Sequence, residues 1–530
     1  MKAEVLLGDE AVALAAIQAG LTAAYSYPGT PASEIMEYLL RPPADKRGYL
    51  ASWSVNEKTA YEEALGVSFA GKRAMVSMKH VGLNVAADPF MNSALTGVGG
   101  GLVVVAADDP SMHSSQNEQD SRYYSEFARI FCFEPSNHQE AYDMTRQAFD
   151  FSERFDIPVM IRLTTRLSHS RSIVRPQPPR PQNDLRLGQG QDWTLLPVNA
   201  RRRFSLLLQR QKDLLEASQA SPFNRLELNP RPGGLGVIAL GLAFNYVQEN
   251  IRGLTDKPSL LKISTYPLPE GLVRKLVDHV DRVLVAEEGY PLVEAKLRGV
   301  YGLPGKTLMG RLSGHLPAQG ELTPDSLRAA LDLEPLAGID PGQLVLAARP
   351  PQLCAGCPHG DTFKALNEAL QTRPGANVFS DIGCYTLGAL PPYNAVQTCV
   401  CMGASIGMAK GGSDAGIRPS VAVIGDSTFG HSGLTPLLSA VRADTDMTVL
   451  ILDNSTVAMT GGQDSFASGP ALRRIIEGLG VAGEHIRVIE PLPRNHAENV
   501  RIIGQELDHR GLSVVVAARP CVTYSSKRRG

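Results

Sequence analysis

Residues Val423 to Gln463 read VIGDSTFGHSGLTPLLSAVRADTDMTVLILDNSTVAMTGGQ, and this stretch decides the fold. SVAVIGDS and MTVLILDN are short apolar runs with a polar residue just past the end, the pattern of buried parallel strands that deliver ligands. Between Ser427 and Asn454 lie 26 residues, enough for one crossover helix. Asp426 and Asn454 are therefore expected at the carboxyl edge of one sheet, where open α/β sheets bind ligands. Both offer hard oxygen donors, which suits a divalent cation and the diphosphate it neutralises. Upstream, MGASIGMAKGG at 402–412 carries glycines at helical spacing, allowing close backbone approach to a neighbour or to phosphate.

Working outward, the 530 residues are 43% apolar and 20% charged, a composition that can bury two or three cores. A net charge of −2 and a pI near 6.6 argue against a nucleic-acid groove, and no apolar run reaches the length of a membrane span. The amino terminus, MKAEVLLGDEAVALAAIQAG, places Glu4, Asp9 and Glu10 inside what would be the apolar core of a signal peptide. It is expected instead to be the first strand and helix of a cytoplasmic protein.

The chain divides into three α/β blocks. The first, 1–180, has apolar runs at AAYSYPG, RAMVSMK, GLVVVAA and PVMIRLT, separated by segments long enough for helices. A linker and helical connection, 181–229, begins within the Pro-, Arg- and Gln-rich stretch SRSIVRPQPPRPQNDLRLGQGQDW, which cannot build a core and is expected to run over the surface. The second block, 230–335, carries LGVIALG, SLLKIST and RVLVAEEG. Its acidic pair Glu287 and Glu288 reads as a solvated strand end. After the loop-rich EPLAGIDPGQLVLAARPPQ, the third block, 345–530, holds the metal-diphosphate pattern.

Five of the seven cysteines fall in the third block before residue 410: Cys354 and Cys357 in CAGC, Cys384 in DIGCYT, and Cys399 and Cys401 in TCVCMG. Cys521 follows near the end, in ARPCVTY. In a chain without a secretory signal, a CxxC with further thiols points to metal, an iron–sulfur cluster or redox chemistry rather than to disulfides. Cys132, alone in the apolar IFCF, reads as a core thiol.

The Gly-Asp to Asn spacing resembles the signature of thiamin diphosphate enzymes, with Ser427 in place of the second glycine. Further segments carry a wider resemblance: YSYPGTPASEI at 25–35, SVNEKTAYEEALGVSFAGKRAMVSMKHVGLNVAADPFM at 54–91, DDPSMHSSQNEQDSR at 108–122, EEGYPLVE at 287–294 and CAGCPHGD at 354–361. Together they make nearly the whole chain similar to the 2-oxoacid:ferredoxin oxidoreductases, and among these to the large (alpha) subunits of the indolepyruvate enzymes. The resemblance implies several doubly wound α/β domains, two of them thiamin diphosphate-binding folds. The first block would bind the pyrimidine, the third the diphosphate and magnesium, and the second would be a transketolase C-terminal-like domain. It implies oxidative decarboxylation of a 2-oxo acid, an aryl pyruvate such as indolepyruvate, to acyl-CoA and carbon dioxide, with electrons leaving through a 4Fe-4S cluster to ferredoxin.

Carried over position by position, the resemblance makes Glu57 the acid facing the aminopyrimidine ring and Thr30, in the YPGTP turn, a substrate-contacting hydroxyl. Asp426, Asn454 and the Thr456 carbonyl would bind Mg2+. Gly425, Ser427 and His359 would lie beside the cofactor, with His80 a further polar wall residue. Cys354, Cys357, Cys384 and Cys521 would ligate the cluster, since Cys521 follows a strand expected to end at the cofactor edge. Cys399 and Cys401, in TCVCMG directly before the glycine-rich helix, compete for that role and are expected to stay outside the ligand set.

Implied partners are a small (beta) subunit, coenzyme A as cosubstrate, and ferredoxin or another electron-carrying protein, in a hetero-oligomer with dimerised large subunits. Large subunits of this kind commonly continue into a ferredoxin-like domain with two C-x2-C-x2-C-x3-C runs, and none follows YSSKRRG here. A separate ferredoxin or a partner subunit is then expected to carry the electrons onward. The rival reading, a non-oxidative thiamin diphosphate decarboxylase or carboligase, shares Glu57, Asp426 and Asn454 but has no use for four clustered thiols. A third, a non-catalytic assembly subunit, sits poorly with the retained Glu57 and Asp426.

Overall fold

The structure, a computed structural model, describes all residues except 1, 187–192, 300–301, 337, 339–341, 343–350 and 526–530. The start of the third block at 345, most of the loop-rich stretch before it, part of the 181–229 linker and the end of YSSKRRG lie outside the described residues. By packing, the chain forms two units, 1–340 and 341–530.

The first unit is built on a seven-stranded sheet. Across it run Thr265–Tyr266, Cys132–Phe133, Val159–Thr164, Leu102–Asp108, Ala74–Lys79, Ala23–Ser26 and Leu50–Trp53. All neighbours pair in parallel except the first two strands, which are antiparallel. LVVVAAD is buried at every position, which requires helices on both faces. One of them, His138–Phe155, is capped by Asn137, whose side chain accepts from Glu140 N at 3.0 Å, and it buries Ala141, Tyr142, Thr145, Ala148, Phe149 and Ser152 along one stripe. The amino terminus forms the strand Glu4–Leu7 and the helix Gly8–Gln18.

The second block belongs to the same unit. Its own five-stranded sheet runs Thr307–Met309, Arg282–Ala286, Leu235–Leu240, Ser259–Ile263 and Arg225–Glu227, parallel but for the last strand. One residue beyond Ile263, the strand Thr265–Tyr266 crosses over to edge the first sheet. Where it is described, the Pro-, Arg- and Gln-rich stretch is strapped to the first block: Arg180 N donates to Gln18 O at 2.8 Å and Arg186 N to Ala70 O at 2.9 Å. The helix Pro197–Gln219 follows it.

Glu287 and Glu288 correct the sequence reading, because both are buried. Arg122 Nη1 lies 3.0 Å from Glu287 Oε2, and Arg162 Nη2 donates to the Glu288 carbonyl at 3.0 Å. Arg162 Nε also donates to Asp108 at 2.6 Å and its Nη1 to Glu134, while Arg122 pairs with Asp120 at 2.6 Å. A strand end looks solvated in sequence when its counter-charges lie more than a hundred residues upstream.

The second unit holds a fully parallel sheet in the order Asn377–Ser380, Ser420–Gly425, Met447–Asp453, Leu512–Ala518, Ile486–Ile489. Apolar cores cover both faces. Among the described residues no helix is long and apolar enough to cross a membrane.

Candidate functional site

In the second unit Asp426 starts the crossover helix directly at the end of Ser420–Gly425, and Asn454 follows the neighbouring parallel strand Met447–Asp453. Both are buried. Asp426 Oδ2 and Ser427 Oγ have no hydrogen-bond partner among the described residues. Burial, together with the charge of Asp453, pushes the Asp426 carboxyl up to about 7. A buried carboxylate oxygen without a partner is costly until a cation meets it, so this donor set fits a magnesium diphosphate.

Asn454 Oδ1 accepts from Thr456 N at 3.0 Å and keeps a second lone pair. Between them Ser455 is left-handed at φ 62°, which makes the turn. Asn454 Nδ2 lies 3.3 Å from Nε2 of His359, which burial lowers to about 4. A neutral imidazole nitrogen can accept that amide hydrogen, so His359 orients Asn454. Gly425 is required by a protein neighbour, since a Cβ there would lie 2.7 Å from Cε1 of Tyr385. Tyr385 in turn donates to Asp381 Oδ1 and to Ile382 O.

The thiols sort into two groups. Cys384 is pushed up to about 12, by burial first and then by Cys357, Cys521 and Cys354, and Cys357 is raised by burial and by Cys354 and Cys521. These four thiols therefore lie within electrostatic reach of one another. Among the described residues no three His, Cys, Asp or Glu converge as single-ion ligands do. Cys357 Sγ faces the backbone N–H groups of His359 and Gly360 at the start of the helix Pro358–Leu370, which offset part of that rise. The charge that the thiolate forms of the four would place beside Cys384 and Cys357 is relieved by a cationic core, which fits a four-iron cluster. Cys399 and Cys401 instead feel burial and Asp381, with Cys401 also acting on Cys399. Cys132 is buried in the first core.

In the first unit the candidates gather at the carboxyl edge of the seven-stranded sheet. Glu57 is the buried first residue of the helix Glu57–Phe69, whose cap Asn56 accepts from Thr59 N at 2.8 Å. A Cβ on Gly82 would come within 2.7 Å of the Glu57 carboxylate, so glycine makes the room that carboxylate fills. Thr30 lies in the turn after Ala23–Ser26, and its carbonyl accepts from Ser114 Oγ at 3.4 Å. His80 is buried, its Nε2 3.2 Å from both Asn117 O and Oδ1.

Sequence reasoning missed Lys79 and Asp381. Lys79 is buried behind the Thr30 turn, donates to Ser114 O at 2.6 Å and is lowered to about 8 by burial, against the opposing charge of Asp109. Asp381 follows the strand Asn377–Ser380, accepts from Ser405 N at 3.1 Å and is raised to about 6 by burial. The signal was there for both: each is the polar residue closing an apolar strand, as Asp426 is.

Comparison with known proteins gives a consistent picture. Residues 14–191 match the family model described as pyruvate flavodoxin/ferredoxin oxidoreductase, thiamine diP-binding, and residues 381–516 match the thiamine pyrophosphate enzyme C-terminal TPP binding domain. The chain is 39% identical to the indolepyruvate oxidoreductase subunit IorA of Archaeoglobus fulgidus, over 99% of this chain and 87% of that one. It is 38% identical to the IorA subunits of Methanothermobacter thermautotrophicus, over 99% and 88%, and of Pyrococcus abyssi, over 98% and 86%. A 2-oxoglutarate:ferredoxin oxidoreductase from Magnetococcus marinus, solved with 2-oxoglutarate, coenzyme A and succinyl-CoA bound, shares the fold at a TM-score of 0.52 and 15% identity, over 62% of this chain and 65% of that one.

Proposed function

The chain belongs to the family of IorA subunits of indolepyruvate oxidoreductase, and we propose that it decarboxylates an aryl 2-oxo acid such as indolepyruvate oxidatively. The products are acyl-CoA and carbon dioxide, and two electrons pass singly through a 4Fe-4S cluster to ferredoxin. Bound thiamin diphosphate supplies the carbon–carbon bond cleavage, and the cluster accepts the electrons. Asp426, Asn454 and the Thr456 carbonyl hold Mg2+, with Gly425 and Ser427 beside the diphosphate. His359, neutral at physiological pH, keeps Asn454 aimed. Glu57 holds a proton against the aminopyrimidine ring nitrogen. Thr30 presents its hydroxyl to the 2-oxo acid. Cys354, Cys357, Cys384 and Cys521 ligate the cluster. A small subunit completes the enzyme in the cytoplasm, in an assembly with paired large subunits.

The observation that carries this reading is the conjunction, within one unit, of a buried Asp426 oxygen without a partner among the described residues and of Cys354, Cys357 and Cys521 gathered within electrostatic reach of Cys384. A non-oxidative thiamin diphosphate enzyme needs the first and not the second. The test is anaerobic purification of the chain co-expressed with its small subunit, iron and sulfide assay, and a screen of 2-oxo acids with coenzyme A and a viologen dye. Stoichiometric iron and sulfide with coenzyme A-dependent dye reduction by aryl pyruvates is expected. Iron-free protein that releases carbon dioxide without reducing dye would overturn the reading.

A further inference from the structure

The chain from Arg519 to Tyr524 is fastened down at several points. Arg519 N donates to Asp453 O at 3.0 Å, and Cys521 N to Asn454 O at 3.2 Å. The Arg519 guanidinium donates to Asp361 Oδ2 at 3.0 Å, Pro491 O at 2.7 Å and Gly356 O at 3.3 Å. Tyr524 lies against Gly462, where any side chain would collide with its ring. This strap therefore spans the CAGC turn and the loop after Asn454. Held on it, Thr523 directs Oγ1 to Sγ of Cys354 at 3.7 Å, in donor geometry for a sulfur acceptor.

We propose that Thr523 is a positioning residue of the iron–sulfur centre: its hydroxyl donates a hydrogen bond to the Cys354 sulfur and raises the reduction potential of the cluster. The proposal rests on the reading of the four cysteines as cluster ligands. On reduction the cluster gains one electron, and the added charge spreads onto the ligating sulfurs. A hydroxyl hydrogen aimed at one of them stabilises the reduced form more than the oxidised form. Cys354 is the exposed ligand of the four. Without a donor in the strap its sulfur would rely on solvent, whose hydrogen bonds are not held in place.

The test uses the anaerobically purified complex of the chain with its small subunit, in wild-type, Thr523→Val and Thr523→Ser forms. Midpoint potentials are read by dye-mediated titration followed by electron paramagnetic resonance. Thr523→Val is expected to shift the reduction equilibrium roughly threefold toward the oxidised form, about 28 mV at 59 mV per tenfold for one electron. Thr523→Ser should keep the wild-type potential, with iron and sulfide content unchanged in both. In D2O, electron–nuclear double resonance should show an exchangeable deuteron coupled to the cluster in wild type and Thr523→Ser that Thr523→Val lacks. An unchanged potential and deuteron coupling in Thr523→Val would overturn the proposal while leaving the cluster standing. Wild-type protein without iron and sulfide would overturn the cluster reading itself. If Thr523→Val fails to hold its cluster, the deuteron coupling in wild type and Thr523→Ser decides, and its absence there counts against the proposal.

Discussion

At the scale of single residues, the proposed function rests on two carboxylates, Asp426 and Glu57, and their surroundings say how each responds to change. Asp426→Ala should abolish magnesium-dependent thiamin diphosphate binding while the fold persists, because it removes an ionised ligand to a hard cation; calorimetry with unaltered affinity would sink the assignment. Asp426 also predicts a pH dependence. Its carboxyl is raised to about 7 in the fold, by burial and Asp453, against roughly 3.9 in an unfolded chain. The metal-free fold keeps the proton that the unfolded chain gives up, so stability is full below the unfolded value and falls as pH climbs to about 7. The slope is at most about 1.4 kcal/mol per pH unit. Thermal melts of the metal-free protein from pH 5.5 to 7.5 should show this decline, Asp426→Asn should flatten it, and magnesium with cofactor should bind more tightly toward higher pH. Glu57→Gln is expected to bind cofactor almost normally and lose turnover by about two orders of magnitude or more. Wild-type turnover in that variant would overturn the role given to Glu57.

At the scale of elements, the legible part of this protein is its strand ends. An apolar run closed by Asp or Asn is visible in sequence, and Asp426, Asn454 and the overlooked Asp381 all obey that grammar. What closes around those ends is not legible. Tyr385 filling the space over Gly425, His359 reaching Asn454 and the Arg519–Asp361 pair depend on contacts across up to 158 residues of chain, which no local pattern encodes. The same distance hid the burial of Glu287 and Glu288, whose partners are arginines on another block. Cys521 is the test case, because it lies more than a hundred residues from the other three thiols yet acts on the charge of Cys384 and Cys357. Serine substitution at Cys354, Cys357, Cys384 or Cys521 should each abolish the 4Fe-4S signal, whereas Cys399→Ser and Cys401→Ser should retain it. A full signal in Cys521→Ser with loss in Cys399→Ser would reverse the ligand assignment.

At the scale of the whole molecule, the first unit is stitched together by charge as much as by its apolar core. Arg162 lies in the middle strands of the seven-stranded sheet and reaches Asp108 and Glu134 on the first block and the Glu288 carbonyl on the second. It has no exposed surface, so nothing replaces its charge when it is removed. Breaking a buried ion pair from one side costs more than the pair contributes intact, about 3–5 kcal/mol, because the partner carboxylates stay buried without a counter-charge. Arg162→Ala should therefore destabilise the first unit by that amount. The molecule carries its own reporter: its two tryptophans, Trp53 and Trp193, both lie in residues 1–340, and Trp193 stacks on Phe69 at 4.2 Å. Tryptophan emission in urea should shift to a lower midpoint in Arg162→Ala. Arg162→Met with Asp108→Leu, which removes charge of both signs, should recover part of the loss. A midpoint in Arg162→Ala equal to wild type would show that solvent enters the network and that Asp108, Glu134 and Arg162 do not form a closed, buried lattice.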